Sequence, residues 1–428
     1  MSGDQKLSDR DFCRERKLSL PWLITFVLHL AGAGKTEGVD IQSGDFFNNA
    51  RRSGVWPQAQ PATRGAMTRA RKKVRWQVFE ELFEKAVRLA LELWPDHPEH
   101  TWHGLSVLAI DGSKYRLPAT EQIRQHFDPG SGLNHASRGH YPLALVSTLY
   151  DVFRGLPLGR TVVPNKGRNE RVEALKLLQK APAKSVTLFD RGYPSYELFL
   201  AYQKQLQGYY LMRCSTTSTF VPVVEFMQQG AEEAIISIPP SDTYRRGLSA
   251  TERRSLALVA VRAIRGVDEK GEPTVFLTNL LDARQYPAFE LQALYLKRWK
   301  VEEYYREEKV IQEIETFHSR NINGVMQELY AVVCMTVISR TLAALTESIH
   351  GLPAHRIQKK NAVIALAREA AILVPEDPQT AVDIFRELLE EMKRVKYYPP
   401  KQSRPPQPRI SKTPENKWQI LSKKILRA

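Results

Sequence analysis

The chain has 428 residues, 43% of them hydrophobic, which excludes a disordered polymer and leaves room for two or three domains with cores. Lys and Arg number 62 against 47 Asp and Glu, and the resulting net charge of +15 favours a polyanionic partner. Cys13, Cys214 and Cys334 lie far apart with no C-x-x-C pair. That spacing excludes a disulfide framework or a zinc knuckle and suits a reducing, cytoplasmic setting.

Residues 1–100 read as a helical N-terminal region. Leu20–Leu30 is an apolar helix too short to span a bilayer, so no membrane partner is expected. Trp76–Leu93 is amphipathic, with Phe79, Leu82, Phe83, Ala86, Leu89, Ala90 and Leu93 at helical spacing. Between them, Arg64 to Arg75 carries six cations. Arg69, Arg71, Lys72 and Lys73 on a helix there are candidate contacts to DNA phosphates. The stretch Ala31–Thr36 imitates the end of a phosphate-binding loop, but His29 stands where that motif needs its first glycine. No nucleotide cofactor is expected.

From Leu105 the pattern turns to short apolar runs rich in β-formers: Leu105–Ile110, Leu143–Tyr150, Val186–Phe189 and Tyr209–Met212. Helical stretches Arg168–Gln179 and Ser195–Gln205 separate them, so residues 101–214 predict a mixed α/β core. Residues 215–285 predict a β-rich insertion, with a hairpin turn at Asp268–Gly271. A long helix is predicted from Ala288 to about Thr316, in a segment 286–320. Helices continue over 321–395, and 396–428 forms a basic, proline-containing tail.

Two aspartates close apolar strands. Asp111 ends Val107–Asp111, where Gly112 permits a tight turn, and Asp190 ends Val186–Asp190. Strand ends of α/β sheets face the ligand crevice, and neighbouring carboxylates suit a hard cation such as Mg²⁺. In the helix after the insertion, Tyr295, Arg298, Glu302 and Lys309 fall within an arc of about 60°. Glu303 points about 100° away. A carboxylate flanked by cations can complete a metal site and hold phosphates. Arg191 and Arg213, following core strands, are further candidate phosphate contacts. Trp299 is expected to pack against the core beside the site.

The pattern Tyr295-x2-Arg298-x3-Glu302-x6-Lys309 resembles the signature of the insertion-sequence-four family of bacterial transposases. Ile110-Asp111-Gly112 and Phe189-Asp190-Arg191-Gly192-Tyr193 are similar to its two aspartate motifs. Comparable segments extend the resemblance over about residues 15–395. It implies a ribonuclease-H-like catalytic core interrupted by a β-rich insertion, with helical N-terminal and C-terminal regions. It also implies Asp111, Asp190 and Glu302 as ligands of two Mg²⁺ ions, for which Mn²⁺ substitutes. Implied in turn are double-stranded DNA as partner, a homodimer on DNA and a bacterial, nucleoid-associated location. The resulting expectation is a DNA transposase that cuts its own terminal inverted repeats and joins them to target DNA. A metal-dependent nuclease on the same core, or a domesticated DNA-binding protein, are the alternatives.

One departure is visible. Relatives that make hairpin ends stack a flipped base on a tryptophan in the insertion, and residues 215–285 contain none. Phe220, Phe226, Tyr244 and Phe276 are the aromatics there. Either Tyr244, Phe276 or Tyr286 substitutes for the missing indole, or no hairpin is made.

Overall fold

The computed structural model describes residues between 6 and 396, leaving out 8–10, 13–17, 33–36, 96, 132–140, 168, 218–219, 250, 252, 254–255, 269–270, 354, 371–377 and 395. The proline-containing tail beyond Lys396, Cys13 and most of the loop-like stretch after α1 therefore fall outside the described residues.

One eight-stranded sheet organises the chain, in the order β3-β2-β1-β4-β5-β8-β7-β6. The strands are β1 (Ser106–Arg116), β2 (Leu143–Asp151), β3 (Leu156–Pro164), β4 (Ser185–Phe189), β5 (Tyr209–Cys214), β6 (Glu233–Ile238), β7 (Val259–Val267) and β8 (Pro273–Thr278). β1, β2 and β3 are antiparallel neighbours, whereas β1, β4 and β5 run parallel. Parallel neighbours need crossovers, which α6 (Glu170–Leu178) and α7 (Tyr196–Lys204) supply. Asn169 caps α6 by accepting from the backbone N–H of Arg171 and Val172, and Ser195 caps α7 by accepting from Leu198. Three antiparallel strands followed by two parallel ones, joined this way, are the ribonuclease-H-like arrangement. The stretch read as an insertion does not stand apart: β8 pairs with β5, so β6, β7 and β8 prolong the same sheet.

Helices α1 (Leu20–Gly32), α2 (Val39–Arg52), α3 (Arg64–Arg71) and α4 (Gln77–Leu93) precede the sheet. α5 (Glu121–Phe127), α8 (Val221–Gln229) and α9 (Asp242–Arg246) are short. After β8 come α10 (Ala288–Tyr295), α11 (Lys300–Val310), α12 (Ile322–Ile349), α13 (Lys359–Arg368) and α14 (Pro378–Arg394). The long helix expected from Ala288 to Thr316 is thus two helices joined by a 3-10 turn, Leu296–Trp299, and it stops at Val310. α12 is the central post. It is long and apolar enough to cross a membrane, but 78% of its apolar window is buried inside the protein against helices such as α1, α4 and α13.

Burial reverses two sequence expectations. Arg71 is not on the exposed face of its helix. Its guanidinium is buried, donating to Glu328 at 2.9 Å, to Gln327 at 3.2 Å and to the Gly324 carbonyl at 3.2 Å. It fastens α3 to α12, because one of every few residues on so short a helix must face the core. Arg69 and Lys72 are exposed, and Lys73 is exposed but pairs with Asp11 at 2.6 Å. Asp111 does not end its strand either: β1 runs on to Arg116, paired with β2 along the way.

Candidate active site

The site is a notch made by strands of unequal length. β1 pairs with β4 only from Ser106↔Ser185 to Ala109↔Leu188, and β4 stops at Phe189. Two residues past the last pair on each strand come Asp111 and Asp190, so the carboxylates leave neighbouring chains at matched height and on the same face.

α11 crosses β1 here. Alternate residues of β1 face it, as strand periodicity requires. The Tyr305 hydroxyl donates to the Asp111 carbonyl at 2.7 Å. The Lys309 ammonium donates to Ser113 Oγ and the Lys114 carbonyl, both at 2.8 Å, and lies 5.0 Å from the Tyr115 ring centroid. The Tyr115 hydroxyl donates to Glu308. These ties bring Glu302 to the notch.

Two arginines hold two of the three carboxylates. Arg298, 9% exposed at its side chain, donates to Glu302 at 2.8 Å, and Arg213 donates to Asp190 at 3.0 Å. Glu302 and Asp190 remain about one-third exposed, at 32% and 35%. The two aspartates titrate in opposite directions. Burial pushes Asp111 up to about 6; the Gly112 backbone N–H and Arg298 work against this, and Glu302 and Glu170 add to it. Burial also works upward on Asp190, but the Arg191 backbone N–H and the Arg298 and Arg213 guanidiniums outweigh it, leaving the carboxyl below its usual range.

Divalent cations suit this donor set in kind. The donors are hard carboxylate oxygens, and Asp111, its pKa raised chiefly by burial, has like charges in Glu302 and Glu170 nearby. In this state no three His, Cys, Asp or Glu among the described residues stand close enough together to hold an ion. Arg298 occupies Glu302 in this arrangement.

The other sequence candidates divide by exposure. Arg191 is exposed beside Asp190. Tyr295 is only 7% exposed, packed against Phe276 with Arg298 5.9 Å from its ring centroid, and burial pushes its phenol up to about 12. Its ring therefore faces the core and Arg298 rather than the open rim. Trp299, expected in the core, is 48% exposed, because the 3-10 turn rotates it outward. The three rings expected to replace the missing insertion tryptophan are not open. Phe276 and Tyr286 are buried, and Tyr244 is half-buried against Tyr196. Sequence reasoning assigned no role to Glu170 and Tyr193, which the fold brings to the notch. Tyr193 closes the second aspartate motif and the polar pair Asn169-Glu170 lies between the two aspartates, which were the available signals.

A ribonuclease-H-like sheet with acidic groups midway along β1, just after β4 and on a following helix defines a class of enzymes that act on phosphodiesters. Residues 102–338, more than half of the chain, match the family described as the transposase DDE domain, and the chain belongs to that family. It is 23% identical over 334 residues to "Transposase InsG for insertion sequence element IS4" of Escherichia coli K12, covering 77% of this chain and 73% of that protein. It is 31% identical over 140 residues to the same organism's "Putative transposase InsZ", covering 32% of this chain and 44% of that one. A piggyBac transposase synaptic complex with hairpin DNA aligns over 88% of this chain and 79% of its own, with TM-score 0.41 and 9% identity. The chain is a DNA transposase of the insertion-sequence-four type, an enzyme of DNA cleavage and strand transfer, and its family works with divalent metal ions.

Proposed function

We propose that Asp111, Asp190 and Glu302 are its catalytic, metal-holding carboxylates. Two Mg²⁺ ions, replaceable by Mn²⁺, occupy each site. The protein binds the terminal inverted repeats of its element, cuts there and joins the ends to target DNA. It acts as a homodimer on DNA in the bacterial cytoplasm, at the nucleoid. The observation that supports this most is the matched height of Asp111 and Asp190 on β1 and β4, with Glu302 brought to them by α11.

Mg²⁺, when bound, supplies charge stabilisation for the attacking and leaving oxygens of an in-line displacement. The chain's own groups do the rest. Arg298, freed from Glu302, turns its guanidinium to a DNA phosphate and holds the scissile strand. Arg191 contacts phosphate from the rim. Lys309 keeps α11 seated on β1, and Arg213 keeps Asp190 ionised. The exposed indole of Trp299 offers a base the stacking face that Tyr244, Phe276 and Tyr286 do not. Arg69, Lys72 and Lys73 on the N-terminal helical region track the duplex.

The test uses end-labelled transposon-end DNA with Mg²⁺. Asp111→Asn, Asp190→Asn and Glu302→Gln should each lower cutting and joining at least about 1,000-fold, a loss of about 4 kcal/mol at the transition state. Gel-shift binding of the ends should persist, and Glu303→Gln should join ends normally. Wild-type strand transfer by Glu302→Gln would overturn the assignment.

A further inference from the structure

A fourth carboxylate approaches the notch. Glu170 opens α6, directly after its cap Asn169. An acidic residue in the first turn favours any helix N-terminus. That accounts for the residue type but not for where its side chain lies. Glu170 rests against Gly112, the neighbour of Asp111: a Cβ at position 112 would sit 3.2 Å from its carboxyl carbon and 3.1 Å from Leu145 Cδ1. Gly112 adopts no left-handed conformation and β1 continues through it. Its lack of a side chain therefore serves space rather than a turn, and the occupant of that space is Glu170.

The ion pairs make the arrangement informative. Arg213 takes Asp190 and Arg298 takes Glu302. Asp111 and Glu170 are left without an ion pair among the described residues, and Glu170 makes no hydrogen bond there either. Glu170 acts on Asp111 as a like charge, and burial removes the water that would screen the two. Next to both lies the Tyr193 hydroxyl, on a residue 2% exposed, with no hydrogen-bond partner among the described residues. Asp111, Glu170 and Asp190 all act electrostatically on that phenol. A cation with its water shell would satisfy carboxylates and hydroxyl together.

We propose that Glu170 is a fourth carboxylate of the divalent-cation site, sharing an ion with Asp111. It holds that ion directly or through a water that the Tyr193 hydroxyl orients. The proposal rests on the reading of Asp111, Asp190 and Glu302 as metal ligands.

The experiment titrates the full chain, free of DNA, with Mn²⁺, followed by electron paramagnetic resonance of the free ion. Glu170→Gln should weaken Mn²⁺ binding at least about tenfold, as loss of a supporting carboxylate does at metal sites. Gly112→Ala, which displaces Glu170 but deletes no carboxylate, should weaken it too. Thermal melts in EDTA should show Glu170→Gln no less stable than the wild type, and the Mn²⁺-induced rise in Tm should shrink. Unchanged Mn²⁺ affinity in Glu170→Gln, with Asp111→Asn impaired, overturns this proposal alone. Unchanged affinity in Asp111→Asn as well removes the ligand assignment beneath it. A Glu170→Gln protein that melts earlier in EDTA while binding Mn²⁺ normally shows a helix-terminus role instead.

Discussion

Glu302 and Glu308 stand six residues apart on one helix, about 120° apart around its axis, and do opposite work. Glu308 is fully buried. It accepts from Arg160 at 2.6 Å, from Tyr304 at 2.5 Å and from Tyr115, while Arg160, itself 1% exposed, also donates to Tyr304 at 2.9 Å. Its carboxylate is fully partnered and closed to solvent. Among the described residues Glu302 has one partner, Arg298, and one-third of its side chain is open. Saturated partners and burial make a charge structural; an incomplete shell in an open notch leaves it free to exchange partners. Composition on the helix is the same in both cases.

The sharpest way to break this contrast is to remove each charge in turn. Glu308→Gln should destabilise the fold by about 3–5 kcal/mol, because Arg160 is left buried without its counter-charge. Glu302→Gln, with solvent at hand, should change stability by no more than about 0.5 kcal/mol. Urea unfolding curves of the two variants measure this. Similar midpoints would erase the distinction between the two faces.

A smaller effect concerns Asp111 and pH. Its folded carboxyl titrates near 6 against an ordinary 3.8, so between those values the folded state keeps a proton that the unfolded state has lost. Stability of the metal-free protein should therefore fall as pH rises from about 4 to about 6, by about 1–3 kcal/mol, and level off above. Asp111→Asn should remove that fall, and Mn²⁺ at pH 7 should restore the lost stability to the wild type alone. A pH profile in EDTA identical for wild type and Asp111→Asn would deny the burial effect.

The smallest expected effect extends the comparison to α3. Arg69→Ala and Lys72→Ala should leave Tm nearly unchanged but flatten the salt dependence of duplex binding by about 0.9 log units per log unit of salt for each lost contact. Arg71→Ala should do the reverse, lowering Tm and leaving the slope alone, since its charge is spent on Glu328. A changed slope in Arg71→Ala would mean that the α3–α12 tie opens on DNA.

Much of the sheet was legible. β1, β2, β4 and β5 announce themselves as short runs of β-formers, and the turn near Gly271 by its glycine, which adopts a φ of 80°. β3 was not legible. Pro157, Gly159 and Pro164 read as loop, yet β3 lies at the edge of the sheet, where proline loses no ladder bond. The turn that breaks Ala288–Val310 also escaped the periodicity, because four residues are too few to show a period of their own.

What the sequence by itself determined is local: strand and helix periods, caps, and the spacing that aligns Arg298 with Glu302 four residues on. Period and spacing are properties of a few consecutive residues, so Asp111, Asp190 and Glu302 stand out from their immediate neighbours in the chain alone. Only the tertiary structure decided burial and distant partnership. It turned Arg71 and Tyr295 inward and Trp299 outward, and it set Glu170 against Gly112, 58 positions earlier in the chain. Whether a charge is structural or available depends on which groups the folded chain brings around it, and those lie far away in the sequence.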